Sequence, residues 1–285
     1  LLFWCLLLFV VWLFPDVFEY KAADWWFRLR GAVQAPKDVV VVTLDRDSYT
    51  KLEASPFKTW PRKHQVALIR RLKSLGATRV AFDFAFQGES DDPVADQDLA
   101  RALAEMPTVI AGGGIPRNVV SGTEFEQIRP REEYQKAAEA LADIAIPVER
   151  NVARTFALPG GSGKEALPTF AQAALGPGTI KPEQMPGSRD LINFYGPAGT
   201  IDTIPYHEVL LGDAKALERR VRGKIVFVGY GLAFGGAGLS KDAFYTPYSP
   251  PSFFGVEIHA TQAANLLDGS WIRRAPTMAA VFWML

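Results

Sequence analysis

Three carboxylates in the first third of the chain stand where chemistry is commonly done. Asp45 and Asp47 follow the apolar run of Asp38–Leu44 in DVVVVTLDRDSY, and Asp83 lies at the end of TRVAFDF. In an open parallel sheet, ligands gather outside the carboxyl ends of the strands. Neighbouring strands would bring the three side chains to one rim. Anionic oxygens crowded there repel one another unless a cation or an Arg neutralises them, and Mg²⁺ and Ca²⁺ are the hard ions that take such ligands. A local reading competes: Asp47 or Ser48 starts a turn, and Asp83 pairs with Arg62 or Arg79.

Other chemistry is poorly served. Gly229-Tyr230-Gly231 follows the strand-like KIVFV, but the third glycine of a dinucleotide fingerprint should stand at 234, which is Phe234, and no G-x-x-x-x-G-K-[ST] loop occurs. The Gly-rich stretch to Gly238 reads as a loop. The three histidines are His64, His207 and His259, and only Glu257 and Asp242 lie near His259 in sequence, a thin set for zinc. A lone Cys5 excludes a disulfide framework and a Cys-based zinc site. An apolar strand followed by Asp-Arg-Asp-Ser is similar to the nucleophile loop of haloacid-dehalogenase-like phosphatases, where the first Asp attacks phosphate and the second is the acid/base. Ser48 departs from the Thr or Val of that loop, and no later Lys joins a strand-end acidic pair. A Mg²⁺-dependent phosphohydrolase is therefore the weaker alternative; no catalytic or cofactor-binding residue is expected within these 285 residues.

The elements that must position the carboxylates read as alternating strands and helices. Asp38–Leu44 is apolar without alternation, as a strand covered on both faces is. Pro61 suits a first helical turn; Val66, Leu68, Ile69, Leu72 and Leu75 form a stripe that Gly76 stops. Thr78–Phe84 is a second strand. Asp96–Met106 is a helix, and Thr108–Ala111 is a third strand closed by Gly112-Gly113-Gly114. Further on we expect a helix over Arg131–Asp143, a hairpin-like segment near Ile144–Leu158 and a helix over Pro168–Leu175. Strands over Asp190–Tyr195 and Lys224–Gly229, a short helix from His207 and a closing helix over Val256–Leu267 complete the pattern. Short connections of this kind imply right-handed crossovers and one α/β domain, a mostly parallel sheet flanked by helices.

Composition limits the partners. The 31 basic and 31 acidic residues cancel, so no field steers the chain toward nucleic acid. Hydrophobicity is concentrated at the ends. Leu1–Phe14 is unbroken and uncharged, and Pro276–Leu285 follows Arg273-Arg274. Between the first run and Gly31 lie Trp, Tyr and Phe with Lys21, Arg28 and Arg30, side chains suited to a headgroup layer. These features place a membrane helix over 1–20, truncated at its start, a domain over 21–274 on one side of the membrane, and the start of a further span over 275–285. The lipid bilayer is then a partner.

The order DVVVVTLDRDSY, WPR before a helix, GATRVAFDFAF, LPTFAQAAL, LINFYGPAGTIDTIPYHEVL, GKIVFVG and DAFYTPYSPPSFFGVEIHATQAANLLDG resembles the type-two CHASE domain, the cyclases/histidine-kinases-associated sensory extracellular domain. The resemblance runs from about Asp16 to Trp271; the Gly-rich stretch after Gly229 and the region from Asn118 to Arg150 depart from it. It implies a sensor in the bacterial inner membrane, facing the periplasm or exterior, that drives a cytoplasmic module such as a class III adenylate or guanylate cyclase, a histidine kinase, a diguanylate cyclase or a Ser/Thr kinase. It also implies a homodimer and an unidentified ligand. Asp45, Asp47, Asp83, Asp242 and His259 match positions in its motifs and are carried as ligand or metal candidates. A ligand-free dimerisation brace, built on the aromatic segment Phe244–Phe254, is the structural alternative.

Overall fold

The computed structural model describes residues 15–55, 58–119, 122–159, 167–231, 242–249 and 253–274. Helix α1 (Pro15–Arg30) leads into β1 (Val39–Leu44), the short α2 (Arg46–Lys51) and α3 (Arg62–Ser74). Then come β2 (Arg79–Phe82), α4 (Pro93–Leu103), β3 (Thr108–Val119), β4 (Gly122–Ile128), α5 (Glu132–Ala137) and β5 (Ala140–Asp143). The hairpin β6 (Val148–Glu149) and β7 (Val152–Ala153) precedes α6 (Phe170–Leu175). The chain continues through β8 (Thr203–Pro205), α7 (Tyr206–Leu211), α8 (Ala214–Val221) and β9 (Ile225–Tyr230), and closes with β10 (Ala243–Phe244), β11 (Phe253–Phe254) and α9 (Gly255–Asp268).

The main sheet has the order β4-β3-β2-β9-β1-β8, with β5 also beside β3; six strands run parallel and β4 runs against them. Alternate side chains of each strand enter different cores. Val39 and Val41 of β1 meet Phe27 of α1, Phe170 of α6 and Ile258 of α9 on one face; Val40, Val42 and Leu44 meet Leu68, Ile69 and Leu72 of α3, Leu99 of α4 and Val221 of α8 on the other. This two-sided burial is why the strands carry nearly continuous Val, Ile and Phe.

Several expected elements differ. The helix expected over 131–143 stops at Ala137, because Ala140–Asp143 pairs with Val109–Gly112 as a parallel edge. Gly112 permits this approach: a Cβ there would lie 2.6 Å from the Leu141 side chain. The glycine run does not close β3. At Gly113 (φ +90) the strand bends and exchanges β5 for the antiparallel β4. Asp190–Tyr195 is not a strand, since Leu191 makes only isolated bridges to Thr155 and Ile272. The side-chain amide of Asn265 takes both backbone groups of Asn193 (2.7 and 3.1 Å), where a ladder partner would have stood.

The boundary expected at residue 20 falls inside α1, which continues to Arg30 and packs on the domain through Tyr20, Asp24 and Phe27. Residues 1–14 and 275–285, where the remainder of the two expected spans falls, lie outside the described residues. Among the described residues no helix is long and apolar enough to cross a membrane.

Candidate functional site

The connections leaving the sheet create one special place. β1 and β2 pass at their carboxyl ends to α2, α3 and α4 on one face, whereas the chain leaving β9 between them reaches α9 on the opposite face. Such a parting of connections is the position at which open α/β sheets hold ligands. Asp83 follows β2 here, its backbone N–H donating to the Val228 carbonyl of β9 (2.8 Å). Tyr230 ends β9, with its ring edge-on to Phe84 at 4.9 Å. Asp242 is brought in by the start of α9, because its carbonyl accepts from the Gly255 N–H (3.1 Å). A Cβ at Gly255 would lie 2.6 Å from the Asp242 carboxylate, so a side chain there would have to displace that carboxylate.

The electrostatics of the cluster are those of crowded, desolvated acids, Asp83 buried and Asp242 half-buried. Asp83 is 7% exposed, and burial pushes its carboxyl up to about 7. Its Oδ2 is fully enclosed and accepts no hydrogen bond. Burial and then repulsion from Asp83 raise Asp242 well above the ordinary carboxylate range. Tyr230 is raised by burial and by both acids, with Arg62 opposing, and Tyr49 is pushed up to about 12 by burial and by Tyr230. Arg62 is itself committed elsewhere: its Nε lies 3.4 Å from Asp96, which also accepts from Arg131 (3.0 Å) and the Tyr134 hydroxyl (2.8 Å). Two carboxyl groups so placed can share a proton or hold a cation. Among the described residues no group of three or more His, Cys, Asp and Glu could cage a metal, so a divalent ion here would draw its other ligands from backbone, hydroxyl or water oxygens.

Asp45 does not join this cluster. It caps α2, accepting from the Ser48 N–H (2.8 Å) and hydroxyl (2.6 Å). Ser48 is fully buried and lies 3.2 Å from Nδ1 of His207, whose Nε2 is 2.9 Å from Lys51 Nζ. Because ammonium can only donate, Nε2 accepts, Nδ1 carries the proton toward Ser48, and Ser48 donates to Asp45. These are the residue types of a hydrolase triad in another order, and the enclosed hydroxyl admits no substrate; the unit clamps α2 to α7. Asp47 is exposed and lies 3.9 Å from Lys51. His259 sits inside α9 at 5.0 Å from the Phe170 ring, and burial pushes it down to about 4, which keeps it neutral. A cavity of about 520 Å³ at the opposite ends of the strands is lined by Lys37, Arg219, Arg220, Lys224 and Asp202, away from Asp83 and Asp242.

Sequence reasoning missed a second arrangement. Arg154 forms a buried bidentate pair with Asp24 of α1 (2.9 and 2.7 Å). Arg274, where the described chain leaves the domain, forms a bidentate pair with Glu19 and donates to the Tyr20 hydroxyl (3.1 Å). Both guanidinium groups stack on Tyr20, at 5.2 and 4.9 Å. The signal available was the cluster of aromatic and basic residues near each end; its pairing across 255 positions was not.

No curated protein and no solved structure matches the chain. The family model of the CHASE2 domain matches residues 1–285. That match agrees with the α/β architecture and the motif order from DVVVVTL to the closing helix, and the chain belongs to the CHASE2 family of extracellular sensory domains of signalling proteins.

Proposed function

We propose that this domain is the extracytoplasmic input of a receptor in the bacterial inner membrane, that it senses at the Asp83–Asp242–Tyr230 cluster, and that it sets the activity of a cytoplasmic class III nucleotide cyclase by rearranging a homodimer. The observation that carries this reading is the cluster itself: a buried Asp83 and a half-buried Asp242 at the parting of the sheet's connections, each raised by desolvation, with Arg62 beside Tyr230 already engaged by Asp96. A cation such as Ca²⁺ or Mg²⁺, or the amine of an organic ligand, would relieve their repulsion. A ligand shifts an equilibrium only through different affinity for the two states. An ion that binds the arrangement with both carboxylates ionised more tightly than the one in which they share a proton supplies such a difference. Four of the five described rings of the aromatic segment favour this reading over a brace: Phe253 is buried, and Phe244, Tyr248 and Phe254 pack against the core, while Tyr245 is exposed.

The test uses the full-length protein in membrane vesicles with the domain accessible, and follows cyclic-nucleotide formation while Ca²⁺ or Mg²⁺ is titrated. Asp83→Asn with Asp242→Asn should keep the fold and abolish the dependence on the ion. Wild-type responses from the double variant would discard the cluster as the sensing site. Absence of cyclic-nucleotide synthesis would assign the domain to another output, such as a histidine kinase.

A further inference from the structure

Helix α1 carries two faces of opposite character. Tyr20, Asp24 and Phe27 are buried in the body, and Ala23 and Arg30 are half-buried beside them. Lys21, Ala22, Trp25, Trp26, Arg28 and Leu29 are all exposed, Trp25 at 66% and Leu29 at 68%. Written as a heptad with Ala22 at a, the exposed residues occupy only the g, a, d and e positions, while the body holds b, c and f. Single exposed apolar side chains are ordinary; a row of them at coiled-coil spacing on one helix is not.

The helix cannot roll to hide this row. Arg154 fixes Asp24, the Phe27 ring is edge-on to Phe194 and Tyr248 (6.3 and 5.8 Å), and Arg28 and Arg30 donate to Pro247 and Asn193 (3.0 and 2.7 Å). Lipid reaches its far end poorly. Glu19 already pairs with Arg274 of the body, and at 1.5 Å per residue Leu29 stands about 15 Å farther along the axis, whereas the headgroup layer on one side of a bilayer is only about 5–8 Å thick. A helix that leaves lipid before Glu19 therefore carries Leu29 into water. The exposed row also lacks carboxylates, so no partner cation is called for, and the Trp26 ring already carries Arg30 of its own helix at 4.7 Å.

We infer that α1 docks on α1 of a second copy of this chain, in parallel, along Ala22, Trp25, Trp26 and Leu29. The inference rests on the homodimer reading above and supplies its surface. Parallel alignment follows if two chains leave the same membrane face, and Ala22 lets the helices approach while Trp25 and Leu29 fill the seam.

The test is thiol cross-linking of the full-length protein in membranes, in a Cys5→Ser background. Ala22→Cys, Trp25→Cys and Leu29→Cys should each give covalent dimer several-fold above Val94→Cys, an exposed position on α4. Equal yields at Val94→Cys, or none at the three α1 positions, would overturn the inference. If cyclic-nucleotide synthesis persists without α1 cross-links, the receptor reading survives and the dimer surface lies elsewhere. If α1 cross-links form but no cyclic nucleotide is made, the surface stands and the cyclase reading falls. Quenching of Trp25 fluorescence by brominated lipid, without cross-linking, would assign the row to the bilayer and likewise overturn the inference.

Discussion

Burial raises the carboxyls of Asp83 and Glu257 to about 7 each, whereas it lowers His259 to about 4. A group whose pKa is raised on folding stabilises fully below its unfolded value and loses that contribution as pH climbs through the folded value. Asp83 therefore contributes below about pH 4 and withdraws as pH rises toward 7. His259 is the reverse case: its contribution is complete above about 6.5 and is lost as pH falls toward 4. At about 1.4 kcal/mol per unit, Asp83 weakens the fold by a few kcal/mol between pH 4 and 8. Asp83→Asn should be more stable than wild type at pH 8 and should flatten the dependence of the urea midpoint on pH. Superimposable curves would show that the carboxyl is not desolvated. The sequence made Asp83 visible, because an acid at the end of an apolar strand has few structural uses. It hid Tyr230 and Asp242 as companions, since their meeting depends on where β9 inserts and where α9 begins.

Among the elements, α1 is bound most specifically, and its ion pair with the body is measurable. Arg154→Ala leaves Asp24 enclosed without its donors and should cost about 3–5 kcal/mol in chemical denaturation. Replacing both by apolar residues of similar volume should restore most of the loss. A second element contact is steric. A Cβ at Gly229 would meet Val256 at 2.5 Å, so Gly229→Ala should wedge β9 from α9 at a cost of about 1–3 kcal/mol. β1, β2 and β9 were legible because β-branched runs buried on both faces have no alternation to confuse them. α3 was legible from its stripe and its stop at Gly76. The segments at 131–143 and 190–195 were not, because a neighbour decided them: β5 takes an edge that Gly112 leaves open, and the Asn265 amide occupies the backbone groups of Asn193. Residues 15–30 announced their aromatic and basic character without revealing which side faces the body.

For the molecule as a whole, the telling feature is that its first and last described segments touch. Ile272 exchanges backbone hydrogen bonds with Leu191 (3.0 and 2.8 Å), and Arg274 reaches across to Glu19 and Tyr20. Glu19→Ala should raise hydrogen exchange at the Ile272 amide by roughly fivefold, the equivalent of about 1 kcal/mol for a half-exposed pair, and Glu19→Arg with Arg274→Glu should return it to the wild-type rate. Unchanged exchange in both variants would show that the bridge to Leu191 alone holds the segment. Mechanically, α1 and the residues at 272–274 are tied into one unit. Helix α1 cannot slide along that segment without breaking a guanidinium–carboxylate lock and dragging Tyr20 from between two cations. Sliding of one against the other is the motion that these contacts oppose, and turning the two together leaves every one of them intact.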